Sequence, residues 1–285
     1  MDKHQFKQEI HDYIEKKYNK FLEYQQYAID ILKEFHRICV EENITYYLSD
    51  GTLLGAIRDK GSIPWDYDVD VHVPYEEKDR LISALKTKLN SQYYIHCPEV
   101  DSKCRHFFLR VSKVGYNSSA LHVDVFYVIG TPDDKSEYEK FSNKIRFVSN
   151  ARYYKLINAK EESFGKRALY IYIMIHKILY GVIPLKILNL IYDKLCLKYS
   201  YQNAKYYMTA DVFGYKRYSR DFNKTRKLIQ IGDINYFIPS GYKEILKGVY
   251  NDYQSYPSIE SRYNEFMKSL SRLEYFDKIS KWFDI

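Results

Sequence analysis

The sequence predicts an α/β (α+β) protein: a mixed β-sheet flanked by helices, followed by a mostly helical C-terminal part. Three observations predict it. Helical periodicity fills residues 5–42. Short β-branched and aromatic runs then alternate with helical stretches up to residue 130. Beyond that, residues 168–199 are mostly apolar or aromatic.

Each element has its own reason. Ile10, Ile14, Phe21, Tyr24, Ala28, Ile31, Leu32, Phe35 and Ile38 recur at three- and four-residue steps, with Lys and Glu on the other faces. This is one long helix, or two joined near Tyr18-Asn19. Ile44-Thr45-Tyr46-Tyr47-Leu48 reads as a strand. Ser49-Asp50-Gly51-Thr52 is a turn and helix N-cap, and Leu53 to Arg58 is a short helix. Gly61 to Pro64 is a loop. Asp68-Val69-Asp70-Val71-His72-Val73 alternates polar and apolar residues, the mark of a half-buried strand. Residues 75–90 place Leu81, Ile82, Leu85 and Leu89 on one helical face. Phe107 to Val111 and Leu121 to Val128 are further strands, and Glu137 to Arg146 is a helix. The stretch 168–199 is interrupted by His176, Lys177 and Lys186 and divided by Pro184. It is a poor single span. It reads as a core helical hairpin or as an interfacial helix pair on the inner membrane face.

Composition sets limits. The 285 residues suit one large domain or two modest ones. With 46% hydrophobic and 28% charged residues the chain is globular rather than disordered or fibrous. The net charge of +7 fits a phosphorylated substrate or an anionic membrane surface. It is too small and too dispersed to indicate nucleic acid. Cys39, Cys97, Cys104 and Cys196 form no C-x-x-C pair, so neither a zinc site nor a disulfide framework is expected. Met1 to Gln5 carries no apolar signal region, and the expected location is cytoplasmic.

The chemistry concentrates in residues 49–70. Strand residues i and i+2 share a face, so Asp68 and Asp70 project together. Two adjacent carboxylates repel unless a cation lies between them, and hard oxygen ligands suit Mg²⁺ or Mn²⁺. Upstream, Gly51 and Thr52 open a helix whose free N–H groups favour a phosphate. A phosphate cradle followed by a carboxylate pair suits metal-assisted phosphoryl transfer. A third carboxylate, Asp124, lies inside an apolar strand and shares its face with His122 and Phe126. Such an aspartate is costly unless a metal or partner satisfies it. Two plainer readings compete. Asp66, Asp68, Asp70 and Glu77 match four positions of a calcium-binding EF-hand loop, but Val71 stands where that loop needs glycine. The aspartates also suit a solvated strand edge, although Gly51-Thr52 and Asp124 argue against that.

Gly51-Thr-Leu-Leu-Gly-Ala-Ile-Arg58 followed by Ile63-Pro-Trp-Asp-x-Asp-Val-Asp70 resembles the signature of LicD/fukutin-type phosphotransferases. These belong to the DNA-polymerase-β-like nucleotidyltransferase superfamily. Ile31 to Leu48 and Val123-Asp124-Val125-Phe126 resemble the family as well. So, less fully, does the closing segment Ile238-Pro239 to Tyr256-Pro257. The resemblance implies a nucleotidyltransferase-like catalytic core in 1–150, with its N-terminal helices. It leaves 151–285 as a helical, variable acceptor or membrane-proximal region with a family-like C-terminal segment.

By resemblance, Asp68, Asp70 and Asp124 are the metal-binding and catalytic carboxylates, and Asp124 also takes the acceptor proton. Asp66 is a further candidate ligand. Gly51, Thr52 and Arg58 would bind the donor phosphates, and Trp65 would stack on a base or anchor its loop. Among the other basic residues, Arg105, His106, Arg110 and Lys113, the candidate for a second phosphate contact is Lys113. His72 and His122 read as packed strand histidines. Tyr67 replaces the family's middle aspartate and, by alternation, should face away from the metal. Asp50 and Asn251 also depart from the usual pattern. The implied activity is Mg²⁺-dependent transfer of phosphocholine, ribitol phosphate or glycerol phosphate from a CDP-linked donor. The acceptor would be a sugar hydroxyl of a cell-surface polysaccharide or lipopolysaccharide precursor, free or lipid-linked, and CMP would leave. The alternative is a nucleotidyltransferase that releases pyrophosphate.

Overall fold

The computed structural model describes residues 3–163, 166–212 and 216–280, with side chains for 15–163, 166–212 and 216–275. Ile10 and Ile14 therefore lie outside the described side chains. The chain opens with one helix, α1 (Lys3–Glu41), without a break at Tyr18-Asn19. Then follow β1 (Tyr47–Leu48), α2 (Asp50–Arg58), β2 (Val69–Pro74), α3 (Lys78–Lys88), β3 (Tyr93–His96), β4 (Leu109–Lys113) and β5 (His122–Thr131). The helices α4 (Lys135–Leu156), α5 (Ala159–Glu162), α6 (Arg167–Gly181) and α7 (Leu185–Cys196) come next. The chain ends with β6 (Tyr206–Thr209), β7 (Tyr218–Ser219), β8 (Arg226–Ile231), β9 (Ile234–Pro239), α8 (Tyr242–Tyr250) and α9 (Ile259–Ser280).

The mixed sheet and its flanking helices agree with the expected fold class. The sheet runs β1-β2-β5-β4-β3. Among the described strands only β2 and β5 are parallel, with Asp70 beside Asp124. The far edge of β5 pairs first with β4, then with β6, and β6 pairs with β7. The sheet thus does not stop at residue 150: α4 runs through that point and β6 returns to β5. The C-terminal part is rich in helix, yet among the described residues it also holds the strands β6 to β9.

Strand alternation sorts the sheet into two faces. Val69, Val71 and Val73 of β2 and Val123, Val125 and Tyr127 of β5 are buried on one side. Phe21, Tyr24, Ala28, Ile31, Leu32, Phe35 and Ile38 of α1 belong to the same core, as the helical spacing requires. Gln25 also reaches out of α1, and its amide donates to the carbonyls of Ile63 and Asp66. This fixes the loop before β2. The opposite face carries Asp70, His72, His122, Asp124 and Arg110.

Candidate active site

The polar face is the floor of a cavity of about 1320 Å³. Asp68 and Asp70 enter from the start of β2, His122 and Asp124 from β5, and Arg110 from β4. The register places Arg110 and Asp70 on either side of Asp124. Arg110 Nε donates to Asp124 Oδ1 at 2.6 Å, and Nη1 donates to Ser119 Oγ at 2.9 Å. His122 Nε2 lies 3.5 Å from Asp124 Oδ2.

The electrostatics divide the three aspartates. Burial pushes the Asp68 carboxyl up to about 8, helped by repulsion from Asp66 and Asp124. Burial also raises Asp70 well above the usual carboxylate range, and Asp68, Asp50 and Asp124 add to it. Asp124 goes the other way. Burial opposes its charge, but Arg110 and His122 outweigh burial and hold it well below the usual range. Asp50 is likewise lowered: burial acts against it, and the contact with His72, at 3.4 Å, prevails.

These shifts bear on a metal. Among the described residues, no three His, Cys, Asp or Glu side chains are grouped as a ready ligand set. Asp68 and Asp70 do fit a hard divalent ion. They are oxygen donors on one floor, and in its absence their charges are suppressed by burial and each other. Asp124 is adjacent, with its carboxylate engaged by Arg110.

The remaining candidates are distributed differently from what the motif implies. Thr52 Oγ1 accepts the backbone N–H of Asp70 at 2.8 Å, so it fastens α2 to β2. A Cβ on Gly51 would lie 2.8 Å from Asp66 Oδ2, so glycine here makes room for that carboxylate. Gly51, Thr52, Asp66 and Asp68 line a small separate recess, and only Asp68 also faces the large cavity. Asp50, at φ +47, does face the cavity.

Arg58 is not brought to the carboxylates. Its Nη2 donates to Asp59 at 2.9 Å, and its guanidinium lies over Tyr256 and Trp65. Trp65 accordingly anchors its loop, and Tyr256 returns the C-terminal segment to α2 by donating to Asp59 Oδ1. Lys113 is not brought there either. It has the opposite strand parity to Arg110 and lies 4.1 Å from the centre of the Tyr27 ring on the α1 side. Tyr67 lines the cavity instead of facing away, because residues 66–68 precede the strand and do not alternate. Val71 sits in β2, so residues 66–77 do not form a calcium-binding loop.

Several lining residues escape sequence reasoning. Thr209, Asp211 and Tyr218 come from β6, β7 and the turn after β6, and Arg272 comes from α9. Arg105, Lys166, Lys216 and Lys268 add positive charge around the rim, beside Glu161 and Glu162. Arg105 is among the basic residues that the sequence offers; no local motif signals the others, and only tertiary pairing gathers them.

A mixed sheet with strand carboxylates under one open, basic-rimmed cavity defines a polar site suited to anionic substrates. Residues 43–160 match the LicD/FKTN/FKRP nucleotidyltransferase domain. The match identifies residues 43–160 as a LicD-type domain within the chain. It is 30% identical over 160 residues to the lipopolysaccharide cholinephosphotransferase LicD of Haemophilus influenzae, a match that covers 52% of this chain and 60% of that relative. An uncharacterized protein of Rickettsia prowazekii is 39% identical over 55 residues, 19% of this chain and 21% of that protein. One of Rickettsia typhi is 40% identical over 48 residues, 17% and 16% of the two chains. The chain thus matches less than two thirds of the length of each of these relatives.

Proposed function

We propose that this protein is a LicD-type transferase that moves a phospho-substituent, phosphocholine foremost, from a CDP-linked donor. The acceptor is a sugar hydroxyl of a lipopolysaccharide or related cell-surface polysaccharide precursor, and CMP leaves. The observation that carries this reading is the cavity floor: Asp68, Asp70, Asp124 and Arg110 converge from three strands. The similarity to the Haemophilus cholinephosphotransferase supports the choice of substituent.

Asp68 and Asp70 would hold Mg²⁺ or Mn²⁺, with Asp124 beside them and Asp66 behind Asp68. When bound, the ion offsets negative charge on the donor pyrophosphate and the leaving CMP. Arg110 takes the role that the sequence suggests for Lys113. Its guanidinium is a planar fork suited to phosphate oxygens. A donor phosphate in the cavity competes with Asp124 for that fork. An aspartate clamped by Arg110 is a poor acceptor for an alcohol proton, so Asp124 becomes basic only as Arg110 turns to the donor. Arg105, Lys166, Lys216, Lys268 and Arg272 draw the anionic donor in.

The test is a donor panel of CDP-choline, CDP-ribitol, CDP-glycerol and the four NTPs, with and without Mg²⁺ and a glycan acceptor. Mg²⁺-dependent CMP release from one CDP compound is the expected result. Pyrophosphate release from an NTP would replace this reading with nucleotidyl transfer. Neither product, with acceptor present, would remove it.

The carboxylate shifts give a second expectation. Protons on Asp68 and Asp70 must leave before a cation binds there. Mg²⁺ affinity should therefore rise with pH up to about 8, where Asp68 titrates. Thermal stabilisation by Mg²⁺ should be larger at the alkaline end of that range than at mildly acid pH. A shift that is flat across this range would contradict the assignment of these two aspartates.

A further inference from the structure

We infer that the α6–α7 elbow is a docking surface for an anionic lipid bilayer. The inference stands on the shape and charge of this hairpin and does not rest on the transfer chemistry.

The helices bend by 84° at the break between Gly181 and Leu185, and no single helix among the described residues is long and apolar enough to cross a membrane. The elbow is nevertheless apolar on its outside. Ile178 is 70% exposed, Leu179 63% and Val182 81%. Ile171 and Ile175 extend this stripe up α6 at helical spacing, and Ile187, Leu190 and Ile191 extend it along α7. A contiguous patch of this kind is unusual for a surface that faces only water.

The inner side explains why the patch is presented so firmly. Ile173, Leu188, Tyr192 and Cys196 are buried against the body. Lys177, which interrupts the apolar run in the sequence, points inward. Its ammonium donates to the carbonyls of Tyr154, Lys155 and Ile157 at the end of α4. Lys155 in turn donates to the carbonyls of Gly181 and Ile183 in the elbow. The charge that seems to break the stripe thus braces it from behind.

Charge selects the occupant. Residues 166–198 hold Lys166, Arg167, Lys177, Lys186, Lys194 and Lys198 against the single acid Asp193. Asp193 is already engaged by Lys78 and Tyr75. Lys186, Lys194 and Lys198 are exposed beside the α7 stripe. Apolar side chains flanked by lysines with hydrocarbon stems suit the boundary between anionic headgroups and acyl chains. A second copy of this chain would bring like charges together. Lys166 at the start of this hairpin also lines the large cavity, so the elbow lies one helix away from the rim.

The experiment is flotation of the full chain with vesicles of phosphatidylcholine alone or with phosphatidylglycerol. The expected result is salt-sensitive binding to the anionic vesicles. The double variant Leu179→Asp/Val182→Asp should lose at least about tenfold of that binding, and Lys186→Glu/Lys194→Glu should weaken it. Both pairs are exposed, so far-UV circular dichroism should be unchanged. Absence of binding to anionic vesicles, or equal binding by the Leu179→Asp/Val182→Asp variant, would overturn the inference. So would a lipid-free dimer, seen by sedimentation, that the same variant dissolves while vesicles stay unbound. A chain that binds vesicles but releases no CMP would keep this surface and remove the transferase reading.

Discussion

Asp70→Asn, like Asp68→Asn, is expected to abolish transfer and at the same time to stabilise the metal-free protein. The two effects have one cause. Both carboxylates lie on a buried floor where burial and mutual repulsion raise their proton affinity. A raised carboxylate stabilises the fold fully below its unfolded value of about 3.9, and that stability is lost as pH rises through the folded value. For Asp68 the window runs from about 4 up to about 8. An asparagine has no such dependence. The variants should therefore gain on the wild type as pH rises, by about 1 kcal/mol or a few degrees in melting temperature near pH 8. Both groups face an open cavity, and solvent screening keeps the gain modest. Transfer should fall by at least about 10³-fold, the scale of losing a metal-centred interaction in phosphoryl transfer. Thermal melts across pH without metal, beside CMP release with Mg²⁺, check both halves. Retained turnover would displace the site. Lost turnover with lower stability at every pH would mean that these aspartates hold the fold rather than a cation.

The physical terms of that trade-off were partly readable from the chain. Val69, Asp70, Val71 and His72 alternate, and so do Val123, Asp124 and Val125, so the polar face of both strands follows from period-two geometry. The parallel register that sets Asp70 beside Asp124 does not. Nor does the choice between Arg110 and Lys113. They lie on opposite faces of one strand, and only the pairing of β4 with β5 decides which face meets Asp124. Tyr67 departs from alternation because the chain is irregular through 66–68, ahead of β2. The strands β3 and β6 are rich in tyrosine, whose hydroxyl and apolar ring blur the contrast on which alternation depends. The hairpin β8–β9 does carry a signal, Gly232-Asp233 between two alternating runs, and Gly232 takes the positive φ of +58 that such a turn uses. Gly51 and Thr52 show a different limit. Their proximity to the aspartates is legible, but their contacts with Asp66 and Asp70 emerge only from the packing of α2 against β2.

Asp124→Ala should behave unlike the other two aspartate variants. It too should lose transfer, but it should also lose stability, because it strips Arg110 of its partner. The Arg110 and Asp124 side chains are only 11% and 9% exposed, and the guanidinium makes a 2.6 Å contact with the carboxylate. Removing one member of a buried pair typically costs about 3–5 kcal/mol, and the open cavity above Arg110 places this pair at the lower end. Removing both charges should cost less than removing one. Arg110→Leu/Asp124→Leu is expected to recover much of the loss while remaining inactive, since the strong coupling of neighbours makes the two substitutions non-additive. Denaturant titrations of Arg110→Leu, Asp124→Leu and the double variant measure that coupling directly. If Asp124→Ala melted like the wild type, the pair would contribute nothing to the fold, and the proposed exchange of Arg110 between Asp124 and the donor phosphate would lose its basis. If instead the double variant were as unstable as the sum of the singles, Arg110 and Asp124 would act independently. A guanidinium shared between carboxylate and donor requires the opposite: an Asp124 whose basicity is released only when Arg110 has found a phosphate.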